Sequence, residues 1–275
     1  MRYIDIGANK KNALLLVHGL GGSIESWINN IDEMSQLFNV VAVDLPGFGQ
    51  SDKPKISYTI EFYQKFVVQF LKKLKIQHKI SVVGSSLGGH IAAELAISHS
   101  NLINKLILIS PAGALPSSFK GTVALKKYVK VTDAKSVRQV KQALSEIVYN
   151  NKPVDMTYAQ MVFQKISMPG AKHAFLSALR GSAQARRLNR YLNQIQAQTL
   201  LLWGKEDVII PVRFVKSFVN MKNCRIILLE HCGHRPHAER PRLFNKIVTD
   251  FLMETPSGVP AQACPPFAEA PDSLT

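Results

Sequence analysis

Acidic residues, cysteine and long apolar runs are all scarce in this chain, and each shortage narrows what it can be. No apolar stretch in the 275 residues reaches the ~18 needed to cross a bilayer, so a membrane span is not expected. The opening MRYIDIGANKKN mixes charge signs and lacks the apolar core of a secretory leader. Cysteines 224, 232 and 264 are odd in number and lack metal-ligand spacing, so they read as reduced thiols of a cytoplasmic protein. No metal and no organic cofactor is expected.

Nineteen acidic residues face 34 basic ones, for a formal net charge of +15. The imbalance is local. Residues 114–196 hold fourteen basic side chains against Asp133, Glu146 and Asp155, a net +11. No nucleic-acid motif or aromatic–basic interleaving accompanies this patch, so a nucleic-acid partner is not expected. It reads as a solvated helical face, with an anionic substrate or an acidic partner as the sharper alternative.

With 46% hydrophobic residues the chain can build a large core. Short β-branched runs at 13–17, 40–44, 80–84, 105–110, 199–203 and 225–230 are apolar almost throughout, as strands covered on both faces must be. Helix-length segments at 23–36, 59–74, 87–98, 211–220 and 240–253 separate them. This alternation predicts an α/β fold, a mostly parallel sheet flanked by helices. Only RYIDI (2–6) precedes the first parallel strand, so the antiparallel edge should be short. From 114 to 196 the alternation gives way to helical patterns such as VRQVKQALSEIVY and AKHAFLSALR, broken at Pro153 and at Pro169-Gly170. The economical division is a core of 1–113 and 197–254, a helical insertion at 114–196, and a proline-rich disordered tail at 255–275.

Candidate chemistry gathers where strands end. The stretch SVVGSSLGGHIAAELA (81–96) frames Ser86 between Gly84 and Gly88 in a G-x-S-x-G pattern. A predicted strand precedes it and a predicted helix follows, the setting of a serine forced into a sharp, exposed turn. Ser85 lies outside that frame. The loop HGLGGS (18–23) is glycine-rich, so its backbone can approach a ligand closely and aim an N–H at an oxyanion. The Leu20 N–H is the candidate donor there, with the Leu87 N–H as the second. A phosphate loop is the competing reading, but the segment has neither G-x-G-x-x-G nor a Walker lysine. His18 reads as a brace for this loop. After the predicted strand 199–203 comes the acidic loop GKEDVIIP (204–211), and after 225–230 comes HCGHRPHAERP (231–241) with three histidines. A serine needs a base and the base an orienting acid, and serine, acid, histidine is the chain order this architecture uses.

Together HGLGGS, DLPGFGQSD (44–52), GSSLGG, GKEDVIIP and CGHRPHAERP resemble the α/β-hydrolase superfamily, in its branch with a helical cap, over about residues 3–253. The resemblance implies Ser86 as nucleophile, Asp207 as acid and His234 as base, with 114–196 as an inserted helical cap over the site. Glu206, His231 and His237 fall outside the matching positions. Related dehalogenases and epoxide hydrolases carry aspartate at the nucleophile position, which Ser86 argues against. Carbon–carbon hydrolases of ring-cleavage (meta-cleavage) products share the serine triad and cap, yet typically show asparagine at the place of Ser85 and tryptophan at that of Arg235. The expected activity is therefore carboxylesterase-type cleavage of a small-molecule ester, with short-to-medium acyl chains. Carbon–carbon hydrolysis is the alternative. A methyl esterase acting on an acidic carrier protein at the basic cap, and a ligand receptor without catalysis, are the lesser ones.

Overall fold

The computed structural model describes residues 1–7, 10, 12–76, 78–115, 121–148, 154–254 and 268–269. Its sheet is built from β1 (Tyr3–Ile6), β2 (Ala13–Val17), β3 (Asn39–Val43), β4 (Ile80–Ser85), β5 (Ile103–Ile109), β6 (Gln198–Gly204) and β7 (Cys224–Leu229). A two-residue β8 (Ala268–Glu269) is added at the end. The spatial order is β1-β3-β2-β4-β5-β6-β7-β8, and every pairing is parallel except β1 with β3. All residues of β2 and β4 are buried, which is why these strands read as unbroken apolar runs.

Side chains of a strand alternate between faces, so each central strand feeds two cores. Leu15, Val17, Val82 and Leu108 meet α2 (Ile60–Lys73) and α3 (Leu87–Ser98) on one face. Leu14, Leu16, Val83 and Ile107 meet Trp27, α1 (Ile31–Ser35) and the last helix on the other. Thr59 caps α2 by accepting from the Phe62 N–H at 3.1 Å, and Ile60, Tyr63, Val67, Phe70 and Leu71 form its buried stripe. α3 is different: it is buried on nearly every side, so the small residues of LGGHIAAELA are needed to admit its neighbours.

Two helical expectations are corrected. Residues 23–36 form a 3-10 turn at Ile24–Trp27 and then the short α1, rather than one helix. The break is at Asn30, fully buried, whose amide donates to the His237 carbonyl at 3.0 Å and to Asn245 Oδ1 at 2.7 Å. Residues 211–220 form a 3-10 helix, Val212–Phe218. Val212, Val215 and Phe218 recur every third residue, the 3-10 period, and that places all three on the core side. The tail 255–275 lies outside the described residues, Ala268–Glu269 excepted.

Between β5 and β6 the chain forms α4 (Val123–Lys130), α5 (Val137–Ser145), α6 (Met156–Ile166) and α7 (Ala171–Gln184). Pro153 lies outside the described residues, while Gly170 opens α7 at φ 83°. Val131, Val140, Leu144, Val154 and Ala159 give this insertion a small core of its own. Polar ties fasten it to the sheet. Arg186 makes a forked pair with buried Glu94, at 2.9 and 3.0 Å from Nε and 2.5 Å from Nη2. Lys165 Nζ reaches Ser23 Oγ and Glu25 Oε2, each at 2.6 Å, and Arg2 holds the other oxygen of Glu25 at 2.6 Å. The last helices are α8 (Pro236–Glu239) and α9 (Pro241–Met253), each with proline where the first helical N–H would go unpaired.

Gly88 sits where α3 crosses the end of β2. A Cβ there would lie 2.2 Å from the Val17 carbonyl oxygen and 2.6 Å from that of His18, both backbone. Gly88→Ala should therefore destabilise by about 1–3 kcal/mol, read from urea unfolding; a variant as stable as the parent removes this close approach. Burial alone would raise the Glu25 carboxyl, but hydrogen bonds from Lys165, Ser23 and Arg2 outweigh it and bring the pKa from 4.5 to about 2. A depressed pKa gives stability that is complete above the unfolded value and is lost as pH falls through the folded one. The stability gap between the parent and Lys165→Met should thus be full above pH 4.5 and shrink toward pH 2. A gap that stays constant over that range removes Glu25 from the account.

Candidate active site

β2, β4, β6 and β7 all end at one edge of the sheet, and the loops leaving them enclose a cavity of about 100 Å³. Ser86, the residue after β4, has φ 54° and ψ −112°. A residue with a Cβ loses of order 1–3 kcal/mol in such a conformation, so its surroundings must hold it there. They do: the Ser86 N–H donates to the Ile109 carbonyl at 2.9 Å, and the Ser86 carbonyl accepts from His90 and Ala112, each at 3.0 Å. The turn presents Ser86 to the cavity. Ser85 also borders that wall, but its backbone belongs to β4 and it is buried.

The Gly19–Gly22 loop passes directly over this turn. A Cβ on Gly19 would stand 3.2 Å from both Ser86 Cβ and the Ser85 carbonyl oxygen. Fully buried His18 fixes the loop. Its Nε2 accepts from the Leu45 N–H at 3.0 Å, so the ring proton is on Nδ1, which donates to the Gly19 carbonyl at 2.8 Å. Burial lowers the His18 pKa and so favours this neutral ring. The Gly22 N–H also donates to the Gly19 carbonyl, at 3.0 Å. In a trans peptide the N–H points opposite the C=O, so anchoring Gly19 O also sets the direction of the Leu20 N–H. The Leu20 carbonyl, in turn, accepts from the Tyr128 hydroxyl of α4 at 2.7 Å. Leu87 is the first residue of α3, where the helix leaves N–H groups without intrahelical partners.

The acid and histidine loops are pressed together. A Cβ on Gly204 would lie 2.1 Å from the Gly233 carbonyl oxygen, so only glycine lets them meet. Asp207 is buried, and its Oδ1 accepts from the Ile209 and Ile210 N–H groups at 2.9 and 2.8 Å. Its Oδ2 lies 2.7 Å from His234 Nδ1. A carboxylate facing Nδ1 calls for the proton on that nitrogen, which leaves Nε2 free to accept another. His234 and Ser86 line the same cavity. No hydrogen bond joins them among the described residues; such contacts commonly tighten only with substrate present. Of the other residues weighed from sequence, Glu206 accepts from the Cys232 N–H at 2.8 Å, and His237 stacks on Trp27 at 4.4 Å between ring centroids. His231 is exposed, at φ 52°.

Several residues of the site escaped sequence reasoning. Tyr128 and Tyr158 come from the insertion, where no strand end announces them. Glu239 accepts from the Gly233 N–H at 2.7 Å and the Arg235 N–H at 2.9 Å, holding His234 between its two contacts. Its spacing from His234, inside HRPHAERP, was the available signal. Asp44 does the same for another loop, accepting from Ile24 and Gln50 N–H, each at 2.7 Å.

A family model described as alpha/beta hydrolase fold matches residues 12–241. Monoacylglycerol lipase abhd6-B of Xenopus laevis is 26% identical over 259 residues, covering 90% of this chain and 77% of the relative. A 2-hydroxy-6-oxo-6-(2'-aminophenyl)hexa-2,4-dienoic acid hydrolase of Metapseudomonas resinovorans is 26% identical over 258 residues, covering 91% and 87%. Among solved structures, a meta-cleavage product hydrolase from Pseudomonas fluorescens IP01 superposes with a TM-score of 0.81 at 22% identity, covering 91% of this chain and 93% of that one; the likeness there is one of fold. With the model spanning most of the sequence and the sheet order, elbow and loops described above, the chain belongs to the alpha/beta hydrolase fold family.

Proposed function

We propose that this hydrolase cleaves carboxylic esters of short-to-medium acyl chain through an acyl-enzyme on Ser86. The observation that carries the reading is the Asp207–His234 pair at 2.7 Å beside a serine held at φ 54° in the same cavity. Ser86 Oγ attacks the ester carbonyl while His234 Nε2 takes its proton, and the imidazolium then gives that proton to the leaving alcohol. Asp207 keeps the ring in the productive tautomer. The Leu20 and Leu87 N–H groups receive the negative charge of the tetrahedral intermediate; losing one such donor typically costs about 3 kcal/mol. Water, activated by the same histidine, frees the acid and restores Ser86. This cycle needs only the side chains and backbone named.

Residues 114–196 act in this reading as a cap: Leu125, Tyr128, Leu144, Ile147, Tyr158 and Val162 give the cavity an apolar wall suited to an acyl chain. The buried thiol of Cys232 suits a reducing compartment, which favours the cytoplasm. Among the described residues no helix is long and apolar enough to cross a membrane. A carrier-protein partner draws less support, because Lys127 pairs with Glu146 at 2.6 Å and Arg186 with Glu94, which removes two of the cations such docking would use.

Carbon–carbon hydrolysis is the second reading, favoured by the Metapseudomonas relative and its name. Against it stand Ser85 and Arg235, the two positions where that branch typically differs. Activity on methyl or 4-nitrophenyl esters should therefore exceed cleavage of a ring-fission dienoate by a wide margin in kcat/KM; comparable values would promote the second reading.

An organophosphonate should add once to the protein, by intact mass, and the adduct should vanish in Ser86→Ala. Labelling that survives there but is lost in Ser85→Ala would move the nucleophile. Asp207→Asn should keep the fold and lower kcat by as much as ~10⁴-fold, the drop known for the wrong tautomer in serine proteases. His234→Ala should be comparably damaging and His231→Ala mild, both read as kcat on a methyl ester.

A further inference from the structure

The residue after His234 is an arginine that forms no ion pair among the described residues. Arg235 lines the cavity, and its Nη1 donates to the Tyr158 hydroxyl at 2.6 Å while the guanidinium lies 5.4 Å from the Tyr158 ring centroid. Its backbone is fixed as well, by the Glu239 carboxylate at 2.9 Å. A guanidinium carries five N–H donors, and among the described residues Tyr158 takes the only hydrogen bond Arg235 makes from its side chain. Glu239 lines the same cavity and attracts the guanidinium, but its carboxylate is taken up by the Gly233 and Arg235 N–H groups and forms no ion pair with it. The rest of the wall is largely apolar, with Leu125, Leu144, Ile147 and Val162. Tyr158 and the attraction of the Glu239 carboxylate hold the Arg235 pKa up, so the guanidinium stays charged and fixed while its remaining N–H donors have no hydrogen-bond partner among the described residues.

We infer that Arg235, oriented by Tyr158, is an anion subsite of the catalytic cavity, so that the ester hydrolysed there carries a carboxylate or similar oxyanion a few bonds from its scissile carbonyl. The inference rests on the ester-hydrolase reading and narrows its substrate class. Arg235 follows His234 directly, which keeps the subsite close to the reacting carbonyl. The planar fork suits a carboxylate or a phosphonate through two parallel hydrogen bonds. Residues 114–196, of which Leu125, Tyr128 and Tyr158 line the same cavity, carry a net +11 whose long-range field draws anions toward that side of the molecule. Tyr158 is a positioning residue here: its hydroxyl accepts from the guanidinium and its ring stacks against it, which leaves the remaining donors to the substrate.

The experiment compares monomethyl adipate with methyl hexanoate, esters of equal acyl length, and adds methyl 5-phosphonopentanoate to separate carboxylate from phosphonate. The wild type should favour the anionic esters in kcat/KM by about ten- to a hundredfold, the equivalent of one hydrogen bond to a charged group. Arg235→Met should collapse that ratio through KM of the anionic ester, and Arg235→Lys should restore part of it. Tyr158→Phe should lower the ratio less, and it serves as the test if Arg235→Met does not fold. Equal use of neutral and anionic esters by the wild type, or a ratio unmoved in the variants, overturns the subsite while the hydrolase reading stands. If no ester turns over and Ser86 takes no phosphonate label, the hydrolase reading fails instead. Calorimetric binding of adipate then decides the subsite: binding lost in Arg235→Met upholds it, and no binding to the wild type overturns it.

Discussion

The turn at Ser86 is the constraint around which this molecule is arranged. A non-glycine residue at φ 54° and ψ −112° persists only where neighbours over-determine it, and here they come from several elements. β5 supplies the Ile109 carbonyl, the following loop supplies the Ala112 N–H, and α3 supplies the His90 N–H. The glycine loop closes the turn from above through Gly19, and β2 closes it from behind through the Val17 and His18 carbonyls against Gly88. Strain at one residue is thus distributed over β2, β4, β5 and α3, the centre of the sheet. The site is rigid because the sheet is.

A second theme is how carboxylates are used at this edge. Asp44, Glu206, Asp207 and Glu239 each accept from backbone N–H groups of a loop. Loops carry unpaired backbone donors that strands and helices would have satisfied, and a buried one left unbonded costs about 1–3 kcal/mol. A carboxylate answers two such donors at once. Asp207 does this with Oδ1 and keeps Oδ2 for His234, so the group that orients the imidazole is itself oriented by the loop it organises. Glu239 grips the histidine loop on both sides of His234. With only nineteen acidic residues in the chain, the concentration of four of them here follows from loop architecture as much as from chemistry.

The sequence was most informative where period and burial agree. The six parallel strands were legible because doubly covered strands are apolar throughout, and the elbow because G-x-S-x-G fell between a strand and a helix. The failures have the same physical root. Residues 23–36 carry a helical pattern, but buried Asn30 binds residues more than 200 positions away, and no local pattern reports that. Residues 211–220 read as α-helix because a three-residue and a 3.6-residue period differ little over so short a span. The loops that hold Ser86, Asp207 and His234 could be found because each follows its own strand, while the choice of Asp207 over Glu206 and of His234 over His231 and His237 came from the family resemblance. Tyr128 and Tyr158 could not, since α4 and α6 meet the cavity through tertiary packing, with no strand among the described residues of the insertion to fix their direction.

The charge of the insertion also resolves into parts that composition had merged. Lys165 lies over Glu25, Lys172 pairs with Asp133, Lys127 with Glu146, and Arg186 with Glu94. Two of these four join the insertion to the core, since Glu25 and Glu94 belong to the α/β layer. Exposed pairs contribute little, so Lys172–Asp133 and Lys127–Glu146 shape the surface more than they stabilise it. The Lys165–Glu25 and Arg186–Glu94 ties differ because one partner in each is substantially shielded from solvent, and there a charge without its partner is unfavourable. The guanidinium of Arg235 stands apart from these four: it forms no ion pair among the described residues, and Glu239 acts on it only at longer range while bonding its backbone N–H. Within a basic chain, that side chain differs from its fellows in place rather than in sign: it is the one Lys or Arg among the described residues lining the cavity that holds Ser86 and His234.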